Sequence, residues 1–314
     1  HKSSRGLGDV YKRQLLISEN PSLISIDNVW GVATKSENDF FKPRRTFNKK
    51  ELIDEIISKL KLDISEKDFE EIFSDSNFWD NNSEIIEVFK DEPVFDGQFS
   101  NTCYVERMQE AFVHFQQNKK TDFLNEWRHI IFHLPYAFHG RRMIFNNWLN
   151  WIKNDITYKD LLAEIGQEND ELFIKKAYKS NIYKNFITSK IAPGEKASSH
   201  IGNMYSASVF MSLLSMLNYH FDNNTEIKNQ KVGFISYGSG SKAKIFQGEI
   251  EANWKEKIKT SKLFESLNKR KEISFDEYQD LHKSKKISPL SNHSIRFSHT
   301  DDSTNSKGYR RYKI

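Results

Sequence analysis

The sequence predicts an α/β fold, and three observations carry that expectation. Short runs rich in β-branched and aromatic residues, such as Trp30–Thr34 and Lys231–Ser236, alternate with segments whose apolar residues recur at helical spacing. Met204–Leu217 is apolar or small on almost every side, the pattern of a helix buried all round. No internal repeat interrupts the alternation.

Taken in order, Leu15–Ser18 and Trp30–Thr34 read as strands. Asp39-Phe40-Phe41-Lys42-Pro43 ends regular structure, because Pro43 disfavours helix at the residue before it. The charged stretch from Arg44 to Glu92 reads as a helical insertion. Asn48 and Glu51 make a capping-box start, with Leu52, Ile53, Ile56, Ile57 and Leu60 on one face. Ser65 caps a second helix carrying Phe69, Ile72 and Phe73, and Ile85–Phe89 is expected as a third.

Asp96-Gly97 reads as a turn, followed by a helix capped at Ser100 or Asn101. Its buried face carries Tyr104, Met108, Ala111, Phe112 and Phe115. The apolar run Trp127–Phe132 leads into His133. Arg141–Ile152 and Tyr158–Ile165 read as helical, the latter closed by Gly166. Ile191-Ala192-Pro193-Gly194 is expected to break the chain into a loop. Lys231–Ser236 and Ala243–Ile250 form a hairpin around a glycine turn, and Asp276–Leu281 is a last short helix. From Ser291 the chain is polar and basic, an extended tail.

The bulk numbers bound the function. A chain of 314 residues holds one large domain or two ordinary ones. Lys+Arg of 47 against Asp+Glu of 43 leaves +4, a mixed surface rather than a nucleic-acid stripe. The single cysteine excludes an intramolecular disulfide and a multi-cysteine zinc site, as suits a reducing, cytoplasmic protein. No apolar run approaches the ~20 residues of a membrane helix. Val209–Leu217 comes nearest, and serines interrupt it. His1–Gln14 lacks apolar periodicity, and Asp9–Gln14 reads like a translated transposon end. Residues 1–14 are therefore set aside as a non-native leader, the alternative being a basic disordered terminus.

Several residues invite chemistry. His133 stands at a strand-to-loop exit, where ligand sites of α/β folds lie; a satisfied core histidine fits the same pattern. Asn203 precedes the buried helix, as an N-cap would. Ser239 lies in Tyr237-Gly238-Ser239-Gly240-Ser241, where glycines permit close backbone approach, though a plain turn has the same look. Asp39 precedes a proline and equally suits a turn cap. Arg141 and Arg142 form either a phosphate contact or a solvated pair. Cys103, near a helix start, is read as a small buried hydrophobe.

Phe132-His133-Leu134-Pro135-Tyr136, Gly202-Asn203-Met204-Tyr205 and Ser236–Ser241 resemble, in that order, the C-terminal half of hydroxymethylglutaryl-CoA synthases. The resemblance runs from about Leu15 to Tyr278 and implies a thiolase-like layered fold (αβαβα), mainly its C-terminal half. It implies residues 15–38 as the end of the N-terminal half, 39–290 as the C-terminal half with an insertion at 44–92, and 291–314 as a tail. By the same resemblance, His133 binds and polarises an acetoacetyl thioester and Asn203 donates into the acyl pocket. Asp39 supports acetyl transfer and orients neighbouring groups. Ser239, Gly238, Tyr205, Pro135 and Tyr136 line the site, and Arg141 and Arg142 face the CoA phosphates.

Acetyl-CoA and acetoacetyl-CoA are the implied substrates, in a homodimer when full length, with no metal or redox cofactor. The family's nucleophile motif, Ala-Cys-x-Gly-Gly, does not occur here. The chain is therefore expected to be an inactive, N-terminally truncated part of such an enzyme. Phe138 stands where the family commonly has a lysine. Two rivals remain: a synthase using a carrier-protein-bound acceptor, and a non-catalytic protein whose tail (Lys307, Arg310, Arg311, Lys313) binds nucleic acid.

Overall fold

A computed structural model describes residues 17–75, 83–89, 93–166, 172–283, 296–300 and 310–313. The expected leader 1–14, the start of the first expected strand (Leu15, Leu16) and Lys307 lie outside the described residues. The chain divides into two units, His1–Leu263 and Phe264–Ile314.

The first unit begins with β1 (Ile24–Thr34), β2 (Phe40–Phe41), β3 (Arg44–Asn48), α1 (Lys49–Leu60), α2 (Glu66–Ser74), β4 (Ile85–Phe89) and β5 (Val94–Phe95). There follow α3 (Gly97–Asn118), β6 (Trp127–Phe132), α4 (His139–Met143), α5 (Phe145–Ile152), α6 (Ile156–Ile165), α7 (Phe173–Lys179) and α8 (Asn181–Phe186). A π-helical turn (Ile187–Ile191) runs into α9 (Ala192–Ser198), then come α10 (Ala207–Asp222), β7 (Lys231–Gly238), β8 (Lys242–Ile250) and α11 (Trp254–Ile258). A further helix, α12 (Leu263–Asn268), spans the division between the units.

The main sheet has the order β1-β8-β7-β6. β1 and β7 pair antiparallel with β8, while β6 runs parallel to β7, with Phe132 opposite Ile235. Side chains alternate across the sheet. Ile235, Tyr237, Ala243 and Ile245 pack with Tyr104, Met108, Phe112 and Phe115 of α3 on one face. Val232, Phe234 and Ile250 pack with Val209, Leu213 and Met216 of α10 on the other. These are three layers of helix, sheet and helix. β1, which the resemblance assigned to the preceding half, is an edge strand of this same sheet.

Several local expectations hold. Asn48 caps α1 by accepting from Lys50 and Glu51 N–H, and Ser65 caps α2. Gly166 closes α6 with φ of 96°. The β7–β8 hairpin forms as read, and Cys103 is buried in the core.

Others need correction. Ile17 and Ser18 lie outside any strand, and β1 begins only at Ile24. Ile85–Phe89 is a strand paired with β3, so the insertion at 44–92 is framed by strands and not wholly helical; the β-branched and aromatic Ile-Ile-Glu-Val-Phe suits the pleat better. α3 is capped by Asp96, which accepts from Gln98 and Phe99 N–H, about one helical turn earlier than Ser100. The stretch 141–152 is two helices that meet at Ile144. Ile191–Gly194 does not break the chain: Pro193 sits in the first turn of α9, where its missing N–H costs nothing.

In the second unit, α13 (Phe275–His282) starts at a capping box formed by Ser274 and Glu277. β9 (Arg296–Thr300) and β10 (Arg310–Lys313) pair antiparallel, so these parts of the tail are strand-paired.

Candidate functional site

The parallel pair β6–β7 ends at one edge of the sheet, and the predicted residues gather beyond it. His133 extends the ladder by donating its backbone N–H to Ile235 O at 2.8 Å. Its imidazole Nδ1 lies 2.9 Å from Ser208 Oγ at the start of α10. The same Oγ accepts from Leu134 N–H at 3.0 Å. One buried hydroxyl thus ties the strand exit to the helix. Burial lowers the His133 pKa to about 4, against a contact with the Tyr205 backbone that favours the charged ring. His133 is therefore neutral near pH 7. If Ser208 donates to Nδ1, the ring proton sits on Nε2.

Asn203 is not the helix cap. α10 begins at Ala207, and Asn203 Oδ1 instead accepts from Tyr205 N–H at 2.8 Å, closing a tight turn. That bond fixes the amide plane and leaves Nδ2 without a partner among the described residues. Tyr205 has φ of 49°, a left-handed conformation costly for a tyrosine. The strain turns its backbone toward His133, while its ring stays exposed.

The third segment is the β7–β8 turn. The left-handed conformations fall at Gly240 (φ 86°) and Ser241 (φ 71°), not at Gly238. Gly238 and Ser239 are exposed, and a side chain at Gly238 would meet no protein atom within 4 Å. Asp39 holds this turn. It is fully buried, accepting from Gly240 N–H at 2.8 Å and from Tyr237 O–H at 2.7 Å. The Tyr237 ring lies 4.5 Å from that of Tyr104, whose O–H donates to His133 O at 3.2 Å. Asp39 thus braces the glycine turn and makes no bond to His133.

The loop after His133 is pinned by its own residues. His139 N–H donates to Tyr136 O, and Arg142 Nη1 donates to the Tyr136 hydroxyl at 3.0 Å. Pro135 is half-buried between them. His139 is buried against Tyr104 and Tyr136, with neither ring nitrogen paired among the described residues and its pKa lowered to about 4, chiefly by burial. Arg141 does not stand free for phosphates. Its Nε and Nη2 both bond Glu195 Oε2, the former at 3.0 Å, and its guanidinium lies 4.5 Å over the Phe138 ring.

The structure therefore brings His133, the Asn203–Tyr205 turn and the loop 135–142 around one sheet edge, with Gly238–Ser239 at the end of the neighbouring strand. The sequence reading passed over Ser208, Tyr104, Tyr237 and Glu195. Ser208 lay within a run read only as buried helix, and Tyr104 was read as core. No group of three or more potential metal ligands occurs among the described residues. No described helix is long and apolar enough to cross a membrane.

Comparison with known proteins shows the fold and the family. Solved structures with the same fold include MvaS in complex with 3-hydroxy-3-methylglutaryl coenzyme A, with a TM-score of 0.58 and 20% identity over 94% of this chain and 59% of that one. The curacin biosynthetic pathway HMG synthase aligns with a TM-score of 0.56 at 15% identity, covering 94% of this chain and 60% of that one. The fold is thiolase-like. The family described as hydroxymethylglutaryl-coenzyme A synthase C terminal matches residues 83–308, and the chain belongs to that family. The hydroxymethylglutaryl-CoA synthase of Haloferax volcanii is 23% identical over 295 residues, which is 90% of this chain and 56% of the relative. That of Enterococcus faecalis is 26% identical over 191 residues, 60% of this chain and 40% of the relative. The chain spans about half the length of the curated relatives it matches.

Proposed function

We propose that this chain carries the acceptor-binding part of a hydroxymethylglutaryl-CoA synthase, an enzyme that condenses acetyl-CoA with acetoacetyl-CoA. The observation that supports it is the neutral His133 held by Ser208 and touched by the backbone of Tyr205, whose N–H bonds an Asn203 amide with Nδ2 uncommitted. Two neutral donors aimed at a carbonyl oxygen stabilise the charge that develops there as the ketone is attacked. Neither has to change its charge before the acceptor binds. A nucleophile and a base from the rest of the whole protein complete the reaction on this reading, which needs no metal or redox group. The whole protein works as a cytoplasmic homodimer. Ser239, Gly238, Pro135 and Tyr136 line the acceptor's path, and Arg142 faces its phosphates.

Titration of the chain with acetoacetyl-CoA tests this. Binding is expected, weakened about two- to tenfold by Asn203→Ala, since a hydrogen bond between neutral groups is worth about 0.5–1.5 kcal/mol. Unchanged affinity in that variant would contradict the reading. The chain alone is expected to release no CoA from acetyl-CoA.

One observation favours a second reading, in which the acceptor rides on a carrier protein. Phe138 stands where the family resemblance implies a lysine, and Arg141 is spent on Glu195, leaving fewer charges for a nucleotide. Equal affinity for acetoacetyl-pantetheine and acetoacetyl-CoA would support it.

A further inference from the structure

Two irregularities of the backbone meet at Lys190. Strand β6 carries one more residue than β7 at its start, since Trp127 stands opposite Lys231 and His129 opposite Val232. Against this bulge lies the π-helical turn Ile187–Ile191. Bulges and π-turns re-aim side chains and recur at functional sites. Here they hold one residue at both ends. Lys190 Nζ donates to Trp127 O, and Lys190 O lies 3.3 Å from His129 Nδ1.

The amine is half-buried and meets one acceptor among the described residues, Trp127 O. An ammonium group carries three donors, so the protein answers only one of them. Burial and then the Arg128 guanidinium lower the Lys190 pKa to about 8, against an opposing pull from Asp122. The Asp122 carboxylate is itself spent on Leu124 and Asn125. His129 and His220, joined Nε2 to Nε2, bring no anion. Lys231 shows the contrast: its bond to Glu126 raises its pKa and holds it charged. A lysine desolvated beside another cation keeps a free lone pair near neutral pH, and such amines add to carbonyl groups.

We propose that Lys190 is a second reactive site, which condenses with the carbonyl of a small oxo acid to form an imine. Nζ forms the new C=N bond, and its two protons leave with the carbonyl oxygen as water. The imine nitrogen then takes up one proton, and that single N–H has Trp127 O as its acceptor. Arg128, exposed at the bulge, answers the carboxylate. Trp127 begins β6 and His133 follows its end, six residues or roughly 20 Å along the strand. The site is therefore separate from the acceptor site.

Incubation of the full chain with pyruvate and sodium cyanoborohydride, which reduces an imine to a stable secondary amine, tests this by peptide mass spectrometry. At pH 7.5 Lys190 is expected to carry at least about tenfold more adduct than Lys231, because far more of its amine is unprotonated. Its labelling should rise with pH through a midpoint near 8. Arg128→Gln should slow labelling by pyruvate severalfold more than labelling by acetone, which has no carboxylate. Adduct spread evenly over the lysines, a Lys190 without adduct, or a midpoint above pH 10 would overturn the inference. Equal slowing of pyruvate and acetone would contradict the choice of an oxo acid. The outcome does not depend on acetoacetyl-CoA binding, which is measured separately.

Discussion

Asp39 accepts a hydrogen bond from the backbone N–H of Gly240, 201 residues away in the sequence, and so fixes the glycine turn from a distant part of the chain. Its other oxygen takes the Tyr237 hydroxyl, so both bonds of one buried carboxylate serve one turn. The turn is shaped from outside itself.

Asp39→Ala should therefore destabilise the chain by about 1–3 kcal/mol, since the buried Tyr237 hydroxyl loses its acceptor and the part-buried Gly240 N–H loses its own. Asp39→Asn keeps an oxygen for one of them and should recover part of the loss. Urea unfolding of the three proteins measures this. An Ala variant as stable as the parent would show that the turn holds itself.

Ser208 bonds both Leu134 N–H and His133 Nδ1. Ser208→Ala should cost about 1–2 kcal/mol and free the imidazole to exchange tautomers. Nitrogen shifts of His133 read this directly: a proton on Nε2 in the parent, a mixture in the variant. A parent with its proton on Nδ1 would reverse the assignment.

Acid should unfold the chain through buried histidines. His129 and His220 face each other, Nε2 to Nε2 at 2.7 Å, and burial is the main cause that lowers them to about 3 and 4. His133 and His139 are lowered to about 4 in the same way. A base whose folded pKa lies below its unfolded value of about 6.5 takes up protons on unfolding. Their contribution to stability is complete above about pH 6.5 and is lost as pH falls toward 4. Melting temperatures from pH 7.5 down to 4.5 should decline across that window, and less so in His129→Phe. A flat profile would contradict the burial of these rings.

Gly31 lets β1 touch α3. A methyl group there would come 2.1 Å from Ala111 O and 2.6 Å from Phe115 Cβ, both on the rigid helix. Gly31→Ala should cost about 3 kcal/mol, the upper range for overpacking. Thermal unfolding checks it.

The sequence told much of this and missed the rest for physical reasons. Local signals survived: the Asn48 and Ser65 caps, Gly166, the β7–β8 hairpin and the buried α10 each depend on neighbours in sequence. Ile85–Phe89 was misread because a short apolar run shows no decisive period until its partner strand is known. Asn203 looked like a cap because the turn that separates it from α10 is held by a left-handed Tyr205, which no residue pattern announces. Arg141 looked like a phosphate contact because Glu195 lies 54 residues away. Long-range pairing of that kind is visible only in the folded chain.

On the proposed function, His133 and Asn203 polarise the carbonyl of a bound acyl thioester. Difference infrared spectroscopy of carbon-13-labelled acetoacetyl-CoA bound to the chain tests it most directly. The ketone stretch is expected at lower frequency than in water, with the displacement lost in His133→Phe. A bound ketone that absorbs at its aqueous frequency in both proteins would contradict it.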